Sequence, residues 1–223
     1  MKKAKMMLQV HRNLALIGIQ EIRDYSDAIE SLITNEAARI GRELEEYASH
    51  LREEEKEEFY EHNAEYYQNL AIHFPNQFRL GLVSSSYSVL EDRIVRIADT
   101  LGTSMQSKVK INDFKGDAYS RAKVFLDKVV QLPIEPSAWE GVAHYNLIRN
   151  AIVHNSGRLN KDHNKFRAVS GFIHKHRNIE ADDSGGIIVN SGFVAAYLNE
   201  IELLFKEIFR AWEQWQIISP VKP

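Results

Sequence analysis

Apolar residues recur in alternating steps of four and three along most of this chain, with few helix-breaking residues between them. That spacing places the apolar side chains on one face of an α-helix, whose period is 3.6 residues. The 223 residues include only 5 prolines and 11 glycines, which leaves few positions for the turns that an all-β fold needs. The pattern therefore predicts an all-α helical bundle built from long helices.

The N-terminal third carries two helical patterns. One covers residues 6–22, and a longer amphipathic pattern covers residues 26–70. Residues 43–65 hold ten glutamates and two basic residues. We interpret the acidic run Glu53–Glu58 within them as a solvated helix face and not as a metal or partner site. We expect residues 1–70 to form a helical extension that packs on the rest of the chain or dimerises with it.

Local signals predict where the next helices begin and end. Phe74–Pro75 predicts a break, followed by a helix that stops at Gly102. Asp117 is expected to cap a short helix, and Ser137 to open another through a capping box. That last helix is expected to end near Gly157, since glycine tolerates the left-handed conformation that closes many helices.

The last quarter of the chain interrupts the helical pattern once. β-Branched residues preceded by Asp-Ser-Gly-Gly predict a small β-hairpin near 177–190. A final long helix follows, with Ser191 as its cap and Pro220 as its stop.

Composition excludes several classes of protein. Apolar residues make up 44% of the chain and charged residues 26%, which is typical of a globular protein. With no cysteine there can be no disulfide, thiolate zinc site, iron–sulfur cluster or cysteine nucleophile. His11 and Arg12 interrupt the apolar start that a signal peptide needs, and no 18-residue apolar run follows. We therefore expect a cytoplasmic protein with no membrane span.

The stretch from Leu147 to Gly157 places three polar side chains in an apolar helix. Asn150 and His154 are four residues apart and lie on nearly the same helix face. Arg149 points about 140° away from His154, at 100° per residue, so it has to reach around the helix or meet a partner.

Arginine and histidine together suit the cleavage of a phosphodiester bond in RNA. A base must take the proton of the 2′-hydroxyl, an acid must protonate the leaving 5′-oxygen, and a cation must offset charge on the phosphate oxygens. Two copies of the motif across a two-fold axis would provide paired histidines and arginines. The motif alone also fits a cation that caps a helix and a structural histidine, and Arg158 and His163 have the same spacing outside any such helix.

The string RNAIVHNSG at 149–157 resembles the R-x4-6-H signature of the HEPN superfamily. Residues 87–91 in a long helix and the segment 116–132 resemble the helices that precede the motif in that family. The similarity covers residues 74–215, and residues 1–70 lie outside it. It implies a HEPN-like helical bundle over residues 74–217.

The resemblance implies a homodimer with facing motif helices and, in active members, a metal-independent endoribonuclease that leaves cyclic phosphate ends and needs no cofactor. It assigns phosphate stabilisation to Arg149, acid–base catalysis to His154 and their orientation to Asn150. Members include toxins, phage-defence effectors and RNA-processing factors, so an antitoxin or regulatory protein is a further expected partner. Some toxins carry a tyrosine two residues after the histidine that receives AMP, and this chain has Ser156 there.

A basic segment follows the motif and is a candidate for RNA binding. Residues 158–177 hold six basic residues and one acidic residue. An ordinary basic surface explains the same composition. The six candidates are Arg158, Lys161, Lys165, Arg167, Lys175 and Arg177.

Two further patterns in this segment carry weaker hypotheses. Phe166 and Phe172 could stack on bases, although packing in the core explains them better. His174 and His176 would share a face if the segment were a strand, but no third ligand stands nearby, so no metal site is predicted. No phosphate-binding glycine loop, serine-hydrolase elbow or zinc-protease motif is present.

Two functions from different classes remain open on the sequence. The chain is either a dimeric RNA endonuclease that uses Arg149 and His154, or a catalytically inactive helical module that binds nucleic acid, a nucleotide or a partner protein.

Overall fold

A computed structural model of the chain describes residues 2–159 and 165–218. These residues form seven α-helices and one two-stranded antiparallel hairpin, which confirms the predicted all-α bundle with a small hairpin. The elements are α1 (Lys2–Ser49), α2 (Glu53–Gln68), α3 (Phe74–Ser104), α4 (Ala118–Phe125), α5 (Pro136–His154), α6 (Phe166–Lys175), β1 (Ile179–Ala181), β2 (Ile187–Val189) and α7 (Ser191–Ile218).

The N-terminal region divides at a different place from the predicted one. α1 continues through residues 23–25, because no proline or glycine interrupts the chain there. Ser26, the predicted start of a second helix, is buried in the middle of α1. The break comes at residues 50–52, and three glutamates then fill the first turn of α2, where the helix dipole favours negative charge. The acidic run thus marks a helix start, and the single helix predicted over 26–70 is wrong.

Phe74–Pro75 does not interrupt the chain as predicted. Residues 69–73 form a π-helical turn that leads from α2 into α3 without leaving helical backbone angles. Pro75 lacks an N–H and its ring crowds the carbonyl four residues earlier. A widened π turn directly before it is one of the local adjustments that accompany such a residue.

Gly102 lies inside α3 and does not end it. A Cβ atom at this position would lie 2.8 Å from the Phe125 ring, so the glycine allows α4 to pack closely against α3. The helix ends two residues later, and Gln106 then takes a positive φ of 54°. The predicted stop was wrong because a close contact, rather than a chain turn, requires this glycine.

Caps are predicted correctly for one short helix and incorrectly for α5. The Asp117 carboxylate accepts a hydrogen bond of 2.7 Å from the Ser120 N–H and caps α4, as predicted. α5 begins at Pro136, with Glu135 as its N-cap, so Ser137 makes no capping box. A proline at the first helical position has a fixed φ that already suits the helix, and the N-cap lies two residues earlier than predicted.

The centre of the core lies between α3, α5 and α7. α1 packs along α3 and α7 and adds Leu8, Ala15 and Ile19 to the same core. α2 contributes no buried residue. None of the described helices is long and apolar enough to cross a membrane.

Candidate active site

The motif helix α5 is held by one buried face and ends at the histidine. Its residues Val142, Tyr145 and Ile148 are buried against α3 and α7. Those side chains follow the three-four spacing of a helix face, so the residues between them turn away from the core. The last two turns therefore carry Arg149 and His154 at the edge of the bundle.

The chain after α5 is fixed by backbone hydrogen bonds. Gly157 has φ +71° and its N–H donates to the carbonyls of Ala151 and Ile152, so it closes the helix as predicted. Its carbonyl accepts a hydrogen bond of 2.8 Å from the Ile187 N–H of β2. The β1–β2 hairpin thus anchors the segment that leaves the motif.

A cleft of about 380 Å³ opens at the end of α5. We call it the motif cleft. All three predicted catalytic residues line it, although they leave α5 in different directions. Its lining residues are Asp117, Leu147, Arg149, Asn150, Ala151, His154, Asn155, Lys165 and Val169.

Arg149 is held by an aromatic ring of the neighbouring helix. Its guanidinium carbon lies 4.6 Å from the ring centre of Tyr87 on α3, and Nη1 donates a hydrogen bond of 3.0 Å to Asn150 Oδ1. Tyr87 is 1% exposed, and its burial raises the pKa of its hydroxyl. The ring therefore stays neutral and rigid beneath the cation.

The positive charge of Arg149 is not neutralised by a nearby side chain. Its Nε is buried without a hydrogen-bond partner, and no carboxylate of the described chain lies within ion-pair distance. A half-buried guanidinium in this condition is suited to bind an anion that enters the cleft.

His154 is exposed at the last position of α5, and Asn150 lies one turn before it. Since these residues are four apart, both side chains face the same opening. Asn150 contacts Arg149 as well, so it connects the cation with the face that carries the histidine. The arrangement provides an imidazole, a guanidinium and an amide around one open volume.

Two residues of the site had been interpreted from sequence as purely structural. Asp117 was expected only to cap α4, but it also lines the cleft. Tyr87 was expected to belong to the apolar face of its helix, and it supports Arg149. A residue that caps one helix, or one on the apolar face of another, gives no indication in the sequence that it lies near the motif. Only the packing of α3 and α4 beside α5 shows that Asp117 and Tyr87 belong to the site.

Of the six basic candidates, the structure brings Lys165 to the motif cleft. Arg158 is directed elsewhere, because its Nη2 donates a hydrogen bond of 2.9 Å to Ser184 Oγ in the hairpin turn. Arg167, Lys175 and Arg177 are exposed on or just after α6, and Lys161 lies outside the described residues.

His174 and His176 do not form the two-ligand pair that a strand would have given. Residues 166–175 form a helix and not a strand, so the premise that would have placed His174 and His176 on one face is wrong. A 3.0 Å hydrogen bond joins His176 Nε2 to Tyr145 Oη, and Phe172 packs beside both rings, in agreement with its expected core role. In residues 2–159 and 165–218, no three histidine, aspartate or glutamate side chains cluster as metal ligands would.

Comparisons with known proteins assign no family to this geometry. A scan against protein-family models finds no match, and searches of curated proteins and of solved structures also find none.

Proposed function

We propose that this chain is a metal-independent endoribonuclease that cleaves RNA in the motif cleft, with the complete site formed by two copies of the chain. The observation that carries the proposal is the convergence of Arg149, Asn150 and His154 on one open cleft, with the guanidinium held by Tyr87 and making no ion pair with a carboxylate of residues 2–159 and 165–218. The resemblance of residues 149–157 to the HEPN motif supports the same reaction.

The reaction needs an arginine and two proton-transfer groups, which two copies of the motif provide together. A histidine takes the proton of the 2′-hydroxyl as its oxygen attacks the neighbouring phosphorus, which forms the 2′-O–P bond. The P–O5′ bond breaks, and a second acid gives a proton to the leaving 5′-oxygen. Arg149 offsets the negative charge that grows on the non-bridging oxygens, and the products are a 2′,3′-cyclic phosphate and a 5′-hydroxyl.

A second copy of the chain would supply the second proton-transfer group. Among the described residues, one histidine lines the cleft, whereas the reaction moves one proton in each of two places. Val153, beside the catalytic histidine, is 48% exposed, so the end of α5 presents an apolar side chain to a partner. An isologous contact between two α5 helices would bring both histidines to one phosphate.

Toxin or phage-defence roles, control by an antitoxin and a cytoplasmic location belong to this proposal through the family resemblance. Each depends on RNA cleavage at the motif cleft, which is the first property to test.

The direct test is cleavage of mixed single-stranded and structured RNAs in excess EDTA. We expect the wild type to cleave, and Arg149→Ala and His154→Ala to lose at least about a hundredfold in rate. Arg42→Ala and His62→Ala change exposed residues of α1 and α2 and serve as matched controls that should cleave normally. Equal cleavage by all five proteins, or none by the wild type, would overturn the proposal.

The dimer is testable because the chain contains no cysteine. Val153→Cys gives one thiol beside the motif, and mild oxidation should link two chains that cleave RNA. Leu203→Cys provides a comparable exposed position on α7 as the control. Equal cross-linking at both positions would contradict a contact between the two motif helices.

A further inference from the structure

A second groove lies next to the motif cleft, on the other side of the start of α4. It has a volume of about 720 Å³ and is bordered by the C-terminal end of α3, the turn at residues 111–113 and α4. Val95, Ile111 and Phe125 form its apolar floor, while its polar side includes Asp99, Lys110, Asn112 and Arg121. We call it the α4 groove.

The first turn of α4 connects the two openings. Asp117 lines the motif cleft, and the very next residue, Ala118, lines the α4 groove. The Arg121 N–H donates a hydrogen bond of 3.0 Å to the Asp117 carbonyl, so one helical turn, about 6 Å along the axis, separates the cleft-lining Asp117 from the groove-lining Arg121.

Arg121 resembles Arg149 in its surroundings. Its Nε is buried without a hydrogen-bond partner, and no carboxylate of residues 2–159 and 165–218 lies within ion-pair distance of its guanidinium. Lys110, on the opposite wall, is exposed and makes no ion pair in the same part of the chain. Two cations without partners thus face one groove.

The charges along the whole path favour a polyanion. Arg149 in the cleft, together with Lys110 and Arg121 in the groove, gives three cations that make no ion pair with the described residues. The carboxylates on the path are Asp117 and Asp99, and Asp117 is engaged by the Ser120 N–H as the cap of α4. The apolar floor between the groove cations offers a surface for the less polar faces of bases.

We propose that the α4 groove binds the single-stranded RNA that extends from the motif cleft, with Lys110 and Arg121 holding its phosphates. This inference rests on the proposed ribonuclease function for the identity of the strand. It adds two phosphate-binding residues that lie outside the basic segment 158–177, and it gives the strand a direction across the first turn of α4.

The test measures RNA affinity separately from cleavage, in a His154→Ala background. Fluorescence anisotropy would follow labelled RNAs of about 4 and about 16 nucleotides over a range of salt concentrations. For the longer RNA, Lys110→Ala with Arg121→Ala should weaken binding about fivefold to tenfold and reduce the salt slope by about 0.7 for each lost phosphate contact. The shorter RNA, which fills only the cleft, should bind as before.

Controls separate lost contacts from lost folding. Arg121→Lys keeps the charge and should retain most of the salt slope. Lys128→Ala removes an exposed cation after α4 and away from the groove lining, and should change nothing. Circular dichroism melting checks that each variant is folded.

The outcomes distinguish this inference from the ribonuclease proposal. Unchanged affinity and salt slope in the double variant would overturn the α4 groove while chelator-resistant cleavage by the wild type still stood. Loss of affinity in the double variant, with no cleavage by the wild type, would support the groove and overturn the enzyme. Equal weakening for both RNA lengths, or competition by inorganic phosphate at the groove alone, would show a small anion site and contradict the strand path.

Discussion

His154 and His176 lie on opposite sides of α5, and the fold uses them in opposite ways. His154 is exposed at the end of the helix, in a cleft that also holds an unneutralised guanidinium. His176 is half-buried and bonded to Tyr145 on the other side of the same helix. The Nε2 bond and the packed rings make His176 part of a junction between helices, although its Nδ1 is buried with no hydrogen-bond partner among the described residues, whereas an exposed ring beside a cleft is available to a ligand.

The surroundings of His176 explain its structural role. Tyr145 stacks on Tyr197 with ring centres 4.7 Å apart, and it meets Phe193 at 5.1 Å. Phe172 lies 5.2 Å from the histidine ring, so α5, α6 and α7 meet here. These five residues form what we call the aromatic cluster. Substitutions in the aromatic cluster should change the stability of the protein, whereas substitutions in the motif cleft should change its activity.

The largest expected effect is on activity, at the motif cleft. His154→Ala should reduce the rate of RNA cleavage by about 10²–10⁴-fold, because the group that transfers the proton is removed. The free energy of unfolding should change by less than about 0.5 kcal/mol, since the side chain is exposed. Single-turnover cleavage and urea denaturation measure the two quantities. A strongly destabilised His154→Ala protein would show that this histidine stabilises the fold, as His176 does.

The next effect is on stability, in the aromatic cluster. Tyr145→Ala removes a buried ring from the junction of three helices and should lower the free energy of unfolding by about 3–5 kcal/mol. Tyr145→Phe keeps the ring and loses only the hydrogen bond, which is worth about 1 kcal/mol. Cleavage per folded molecule should match the wild type in the phenylalanine variant. A large loss of activity in folded Tyr145→Phe would contradict the prediction that the aromatic cluster affects stability and not cleavage.

A smaller effect on the cleavage rate is expected at Tyr87, whose ring lies beneath Arg149 in the motif cleft. Tyr87→Leu removes the ring beneath Arg149 and should slow cleavage by about 2-fold to 30-fold, corresponding to a cation–π energy of about 0.5–2 kcal/mol. Tyr87→Phe keeps the ring face and should cleave RNA at nearly the wild-type rate. Rates are compared at equal folded protein. If the phenylalanine variant were as slow as the leucine variant, the hydroxyl and not the ring would be the important group.

The smallest effect concerns the dependence of stability on pH. Burial lowers the pKa of His176 below its ordinary value of 6.5. The unfolded chain therefore takes up a proton at a pH where the folded chain does not, so stability is full above pH 6.5 and falls as the pH drops below it.

His176→Gln should reduce the fall in melting temperature between neutral pH and pH 5. Burial and the nearby Arg93 and Arg96 also lower the pKa of His11, so His11→Gln should remove part of the remaining fall. A melting temperature that drops as steeply in both variants as in the wild type would show that other groups control the acid transition.

Much of the fold and part of the candidate site follow from sequence patterns, because helix periodicity and local caps depend on neighbouring residues. The apolar spacing predicts α3, α5 and α7, and the left-handed tendency of glycine predicts the end of the motif helix at Gly157. The three motif residues share a cleft because they lie within two turns of one helix.

Features that depend on packing between distant segments do not follow from those patterns. Tyr87 is 62 residues before Arg149 in the chain, and only the pairing of α3 with α5 brings its ring under the guanidinium. Gly102 has the sequence signature of a helix end, but its function is to admit Phe125. Arg121 carries no motif at all, and its position beside the cleft depends on where α4 packs.

The central claim is that the motif cleft cleaves RNA through its 2′-hydroxyl, and one comparison tests it most directly. Two end-labelled RNAs that differ only by a 2′-deoxy substitution at the cleaved nucleotide are incubated with the wild type in excess EDTA. The account predicts cleavage of the all-ribose RNA to a 2′,3′-cyclic phosphate and no cleavage at the deoxy position. Cleavage of both RNAs at the same position and rate, or cleavage only after a divalent metal is restored, would contradict it.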